Sequence, residues 1–209
     1  MNNSKQIITT GLLLMLFAII GSSLVGATYE GTKKQIAENE RRALLRTLNN
    51  ILPANTYDND LINATLTLYP DDRLGQTESS TAYQAKKEDT ITAVILSVIA
   101  PDGYAGAIKL LVGIRADGTL AGVRVISHKE TPGLGDAIET KRSNWILGFN
   151  NTSLSNPDLH GWRVKRDGGQ FDQLTGATIT PRAIVKAVHQ SLIYFDRNKQ
   201  TLLNTTNDE

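Results

Sequence analysis

Thr90-Ile91-Thr92-Ala93-Val94-Ile95-Leu96-Ser97-Val98-Ile99-Ala100 is built largely from Thr, Val and Ile, side chains that fit a pleated, half-buried surface. A second apolar run covers Ala107 to Arg115 and a third Leu120 to Ser127, with Asp102-Gly103 and Asp117-Gly118 marking the links between them. Links this short join antiparallel neighbours and leave no room for crossover helices. The three runs are therefore predicted to form an antiparallel meander. The expected fold class is α+β, a single domain with a mainly antiparallel twisted sheet packed by helices. A doubly wound parallel fold is disfavoured, and no Gly-x-Gly-x-x-Gly or phosphate-loop lysine motif supports a nucleotide-binding reading of that kind.

Toward the N-terminus, Ala54 to Asp89 reads as polar and irregular, with Tyr69-Pro70-Asp71-Asp72 as a turn and no evident chemistry. Tyr29 to Leu52 reads as a helix with Ile36, Ala37, Leu44, Leu45 and Leu48 on one side, ending near Pro53. It suits either a stalk or the first helix of the globular domain. Gln6 to Tyr29 contains no charge, and its 24 residues reach about 36 Å as a helix, enough for a hydrocarbon core of roughly 30 Å. This segment is expected to be a retained transmembrane helix. Its apolar stretch exceeds an ordinary signal-peptide core, although Val25-Gly26-Ala27 has the small residues of a cleavage site. Lys5 favours an inside N-terminus, whereas Lys33, Lys34, Arg41 and Arg42 on the other flank pull against it.

Apart from Lys5, the 209-residue chain carries 21 basic and 21 acidic side chains, all from Glu30 onward. A neutral domain lacks the phosphate-neutralising charge on which nucleic-acid affinity depends, so no nucleic-acid partner is expected. Cysteine is absent, which excludes disulfides, thiol catalysis and iron–sulfur ligation by this chain. His128, His160 and His189 show no metal-ligand spacing. No metal site is expected.

On the C-terminal side of the meander lies Glu130-Thr131-Pro132-Gly133-Leu134-Gly135. Proline stiffens this loop while its glycines allow positive φ or close backbone approach. By itself it is a tight turn into a helix predicted around Ile138 to Phe149. Further on, Asp172-Gln173-Leu174-Thr175-Gly176-Ala177-Thr178 precedes Ile179-Thr180-Pro181 and a helix predicted over Arg182 to Phe195. Small hydroxyl residues and a glycine stand where helix N–H groups can receive a phosphate. The plain alternative is capping, with Thr180 as N-cap and Pro181 at the first helical position.

The wording of that stretch resembles the Asp-x-x-Ser/Thr-Gly-Ala-Thr signal read by bacterial flavin transferases. Together with Ala100-Pro101-Asp102-Gly103-Tyr104, His128-Lys129 leading into the glycine loop, and Asp167-Gly168-Gly169-Gln170-Phe171, it resembles the FMN-binding G subunit of the Rnf (Rsx) electron-transport complex. The C subunit of the sodium-pumping NADH:quinone reductase is a relative. The resemblance runs from the anchor to about Phe195. It implies FMN attached covalently by a phosphoester to Thr178, with Asp172 either serving the transferase, where it could help with Mg²⁺, or standing as a plain turn acid. Thr175, Gly176, Ala177 and Thr180 would surround the attachment point. Glu130, Thr131, Leu134 and Gly135 would meet the flavin ring, and Lys165 would either neutralise the phosphate or lie solvated.

The same resemblance implies a single-pass bacterial inner-membrane protein with its domain on the periplasmic side. Its partners would be the other membrane and soluble subunits of the complex, and a flavin transferase during maturation. Its function would be relaying electrons in ferredoxin/NAD-linked transport coupled to ion translocation, with no catalytic residue and no independent turnover. An unflavinylated membrane-anchored scaffold and a freestanding flavin reductase are the competing readings. Trp145 and Trp162 could stack on a ring, but buried tryptophans usually belong to a core. The expected layout is an anchor over 1–28, a helical and irregular part over 29–89, an FMN-binding core over 90–196 and a polar tail over 197–209.

Overall fold

Strand pairing in the computed structural model, which describes residues 2–204, follows chain order. The strands β1 (Thr65–Leu68), β2 (Ser80–Lys87), β3 (Thr90–Ala100), β4 (Ile108–Arg115) and β5 (Leu120–Ser127) form one antiparallel sheet. Two long helices, α1 (Asn2–Ile51) and α2 (Ile179–Leu203), complete the regular structure. The predicted meander is β3 to β5, and β3 and β4 pair without interruption from Ala93↔Arg115 to Ala100↔Ile108.

Two strands lie where an irregular stretch was expected. β2 joins β3 through the two-residue turn Glu88-Asp89, whose φ values of 51° and 62° are both positive. That backbone matches the twist of a tight hairpin but normally selects Asn-Gly or Asp-Gly. Glu-Asp hides it. β1 is four residues of Thr-Leu alternation, too short to stand out among its polar neighbours.

The sheet is covered on both faces. Val94, Leu96 and Val98 of β3 and Leu110, Val112 and Ile114 of β4 share one buried cluster with Ala183, Ile184, Ala187, Val188 and Leu192 of α2. The apolar stripe of α2 at helical spacing thus packs on alternate residues of the central strands. α2 is longer than expected at both ends. Its C-terminal extension is tied to β2, where buried Gln84 donates from Nε2 to the Leu202 carbonyl at 3.0 Å. That bond satisfies one of the acceptors a helix end leaves open.

On the opposite face, Gly113 and Gly122 are register partners on β4 and β5. A Cβ at Gly113 would stand 2.3 Å from Ile51 Cγ2, and one at Gly122 would stand 3.6 Å from Ile51 Cα. The paired glycines form a notch that receives the end of α1. Leu48, Ile51 and Leu52 are buried in this domain, which places the division between the chain's two compact units at Leu44 and Leu45.

The preceding part of α1 is long and apolar enough to cross a membrane, with apolar side chains from Ile7 to Val25 left exposed along its length. A soluble surface does not carry so much contiguous apolar area. The helix passes through Val25-Gly26-Ala27 without a break.

Between β5 and α2 the predicted helix over Ile138 to Phe149 is replaced by two 3₁₀ turns, Gly135–Ile138 and Trp145–Phe149. Ser143 interrupts: its hydroxyl donates to the Ala137 carbonyl at 2.6 Å and accepts from the Trp145 amide at 3.1 Å. Such side-chain bonds compete with a helical ladder. An aromatic cluster takes over the ordering. Phe149 stacks on Phe171 at 4.6 Å between centroids, Trp162 lies 5.2 Å from Phe171, and His189 of α2 stacks on Trp162 at 5.1 Å.

Gly113→Ala is expected to lower stability by about 1–3 kcal/mol through overpacking against Ile51, read as a lower denaturant midpoint with an unchanged slope. The half-buried His189 has its pKa pushed below the usual 6.5 by desolvation. Protons therefore bind the unfolded chain more readily, and stability is lost as pH falls from about 6.5 through the folded value. His189→Gln should flatten that section of a Tm-against-pH curve.

Candidate functional site

A cleft of about 470 Å³ opens where the β3–β4 loop, the Glu130–Gly135 loop and the start of α2 converge. Two matching turns form facing walls. In the first, Leu134 N–H donates to the Thr131 carbonyl at 3.1 Å, with proline second and Gly133 third at φ 79°. In the second, Ala177 N–H donates to the Leu174 carbonyl at 3.1 Å, with Gly176 third at φ 77°. Positive φ at the third position is the type II signature and favours glycine. A Cβ at Gly176 would stand 2.9 Å from Leu134 Cδ2, so the first turn's leucine lies against the second turn's glycine.

Glu130 binds the three segments together. The residue is 5% exposed; its Oε2 accepts from Thr180 Oγ1 at 2.6 Å and its Oε1 accepts from the Ala105 amide at 3.1 Å. Thr180 itself is fully buried. Space for the carboxylate comes from two glycines: a Cβ at Gly135 would lie 2.6 Å from Oε2, and one at Gly103 would lie 2.9 Å from Oε1. His128 holds the loop from behind. Its Nδ1 accepts from the Glu130 amide at 3.0 Å, so in the neutral ring the proton sits on Nε2 and is donated to Glu139 Oε1, 2.9 Å away.

Helix α2 starts earlier than the capping reading requires. Thr178 occupies the N-cap position, yet its side chain makes no capping bond. Thr180 lies inside the first turn with its hydroxyl committed to Glu130, and Pro181 follows it, still where a helix amide has no intrahelical partner. The Thr178 hydroxyl, on a half-buried residue lining the cleft, accepts instead from Arg166 Nη1 at 3.3 Å.

The expected residues divide accordingly. Glu130, Thr131, Leu134, Gly135, Gly176, Ala177, Thr178 and Thr180 all line the cleft. Thr175 is exposed at the second position of its turn and does not line it. Asp172 and Lys165 point elsewhere and pair with each other, Nζ to Oδ1 at 2.6 Å, with both side chains more than half exposed. Trp145 and Trp162 are outside the lining, Trp162 in the buried cluster and Trp145 packed against it. Trp145 Nε1 donates to the Asp172 carbonyl at 2.6 Å and so tethers the start of the second turn segment.

Three residues near the cleft escaped the sequence reading. Tyr104 and Ile179 line it as exposed apolar side chains, and Arg166 is the cation on Thr178. Tyr104 follows the Asp-Gly link and Ile179 separates two threonines, positions that signal a turn and a cap rather than a wall. Beside them Arg182 makes a bidentate pair with Asp167, both contacts at 2.6 Å. Its guanidinium holds the Asp167 carboxyl below the usual carboxylate range.

Comparison with known proteins matches residues 103–193 to the FMN-binding domain family and residues 1–51 to the RnfG N-terminal region. The G subunit of the ion-translocating oxidoreductase complex of Vibrio cholerae is 48% identical over 94% of this chain and 94% of its own length. The chain belongs to the family of G subunits of these complexes. The corresponding protein of Pseudomonas aeruginosa is 48% identical over 95% of this chain and 93% of its own, and that of Pseudoalteromonas atlantica 45% identical over 98% and 95%. In family terms the matched FMN-binding region begins at the loop before β4, so it takes in every wall of the cleft, while β1 to β3 precede it.

Thr180→Val would leave Glu130 Oε2 buried without its hydroxyl donor. The expected loss is about 1.5–3 kcal/mol, the range for a hydrogen bond to a charged group, measured as a lower urea midpoint. A variant as stable as the wild type would show that the hydroxyl does not anchor the carboxylate.

Proposed function

We propose that this chain is the electron-carrier subunit of an ion-translocating oxidoreductase complex and that it holds FMN by a phosphoester to Thr178. The observation that carries the reading is the Thr178 hydroxyl, placed on the cleft wall at a helix N-terminus and spared from capping. The residues fit the group. Tyr104, Leu134 and Ile179 offer apolar surface for a flat ring, and the first-turn amides of α2 offer donors to a phosphate. The volume of the cleft lies within the range of small-molecule sites. FMN supplies the redox chemistry; the protein's task is to hold it and tune it.

Each residue then has a holding role. A phosphoester at Thr178 replaces binding affinity with a tether that survives every reduction cycle. The Glu130 loop packs beside the ring, and the clamp on Thr180 keeps the helix terminus from shifting relative to it. None of these groups needs to act as acid, base or nucleophile during electron transfer, which matches a carrier without independent turnover. Asp172 stands exposed beside the attachment stretch, where a flavin transferase can read it. The exposed apolar helix suits the inner membrane, with the domain on the periplasmic side and the other subunits of the complex as partners. Ferredoxin and NAD redox chemistry at the complex would supply the electrons whose transfer drives ion movement.

Intact-mass analysis after co-expression with a flavin transferase tests the assignment. The wild type should gain one covalent FMN and keep its flavin fluorescence after denaturation, while Thr178→Ala should gain none. A wild type that stays unmodified would instead favour a membrane-anchored scaffold.

A further inference from the structure

Three cations stand beside the N-terminus of α2, and two are already committed. Lys165 is paired with Asp172, and Arg182 is bidentate to Asp167. Arg166 differs. Among the described residues it has no carboxylate partner within ion-pair distance, although after Arg182 its charge helps hold the Asp167 carboxyl down, and its guanidinium Nη1 meets Thr178 Oγ1 at 3.3 Å.

The position of Arg166 is built by its own short loop. It sits in the 3₁₀ turn Lys165–Asp167, preceded by Val164, which is 1% exposed and bridged to Phe171. The Lys165 amide donates to the Phe171 carbonyl at 2.7 Å. Gly168 then reverses the chain at φ 82°, and a Cβ at Gly169 would lie 2.1 Å from the Arg163 carbonyl oxygen. The two salt bridges hold this loop from either side, Lys165 to the attachment stretch and Asp167 to α2. They leave the arginine between them facing the threonine.

We propose that Arg166 is the counter-cation of the phosphoryl group carried on Thr178, and that before attachment it orients the hydroxyl that receives it. The inference rests on the reading of Thr178 as the attachment residue. Before modification, Thr178 Oγ1 accepts from the guanidinium, which fixes one lone pair and leaves the other for attack. In the transfer, Oγ1 bonds to the flavin-side phosphorus of the flavin adenine dinucleotide, and the bond from that phosphorus to the bridging pyrophosphate oxygen breaks. AMP leaves with that oxygen, and the hydroxyl proton passes to a base of the transferase. Afterwards the phosphodiester carries one negative charge, and any phosphoryl group on that oxygen lies within reach of the guanidinium fork. The amides of α2 alone are a weaker answer. Pro181 removes one of them from the first turn, and the macrodipole offers only a partial charge. Lys165 is paired with Asp172.

The test follows covalent flavin incorporation over time by intact mass. Full-length protein in detergent is incubated with a flavin transferase and a flavin dinucleotide donor. Arg166→Gln should incorporate flavin about fivefold more slowly at low ionic strength, the scale of one charge-assisted contact near the surface. Arg166→Lys should recover most of the rate, because it keeps the charge. Raising the salt concentration should narrow the gap between wild type and Arg166→Gln, a response that a packing role would not give. Equal rates for wild type and Arg166→Gln at low salt would overturn the proposal, as would an Arg166→Lys variant as slow as Arg166→Gln with a salt-independent gap. Failure of the underlying reading looks different: either the wild type takes up no flavin, or Thr178→Ala does.

Discussion

The cleft depends on one buried carboxylate. Glu130 takes a hydrogen bond from the β3–β4 loop and another from the first turn of α2, while its own amide is held by His128. Three segments distant in sequence are thereby fixed to one another within hydrogen-bond distances. A buried acceptor left without donors is costly, so the hydroxyl of Thr180 and the amide of Ala105 are held in place as firmly as the carboxylate itself. Gly103 and Gly135 belong to the same constraint, because a side chain at either would occupy the space of the carboxylate oxygens. Asp136, the next buried acid, pairs with Arg142 on the outer side of the same loop.

From that constraint follows the division of labour between neighbouring threonines. Thr180 is structural because its hydroxyl is spent inside the protein, and Thr178 is available because the helix starts one residue after it and asks nothing of its side chain. Two residues of separation at a helix entrance turn the side chains to different surroundings. Charge is sorted in the same way. Lys165 and Arg182 staple loops together, while Arg166 meets the Thr178 hydroxyl.

Much of this was legible in the chain. β3 to β5 follow from β-branched runs and Asp-Gly links, the long apolar helix from an uncharged stretch, and eight residues of the two glycine-bearing segments come together on one cleft. What could not be read has physical reasons. The β2–β3 hairpin uses Glu88-Asp89 in a backbone that composition does not advertise. The segment before α2 is ordered by aromatic contacts between Phe149, Trp162, Phe171 and His189, which have no period to detect. Lys165 and Arg166 are adjacent and chemically similar, and their different partners, Asp172 for one and Thr178 for the other, are set by the fold of their loop. The capping pattern at Thr180-Pro181 misled because the clamp on Glu130 claims that hydroxyl.

The meander has a consequence for when the cleft can exist. Every strand pairs with its neighbour in sequence, and the links from β2 to β5 are short, so that part of the sheet closes at small entropic cost. The contact that clamps the cleft spans far more chain: Glu130 to Thr180 is a separation of 50 residues. A chain with its sheet formed and α2 undocked therefore presents the Asp172–Thr178 stretch with no wall behind it. The cleft is a property of the finished fold, and the residues that line it acquire their surroundings together.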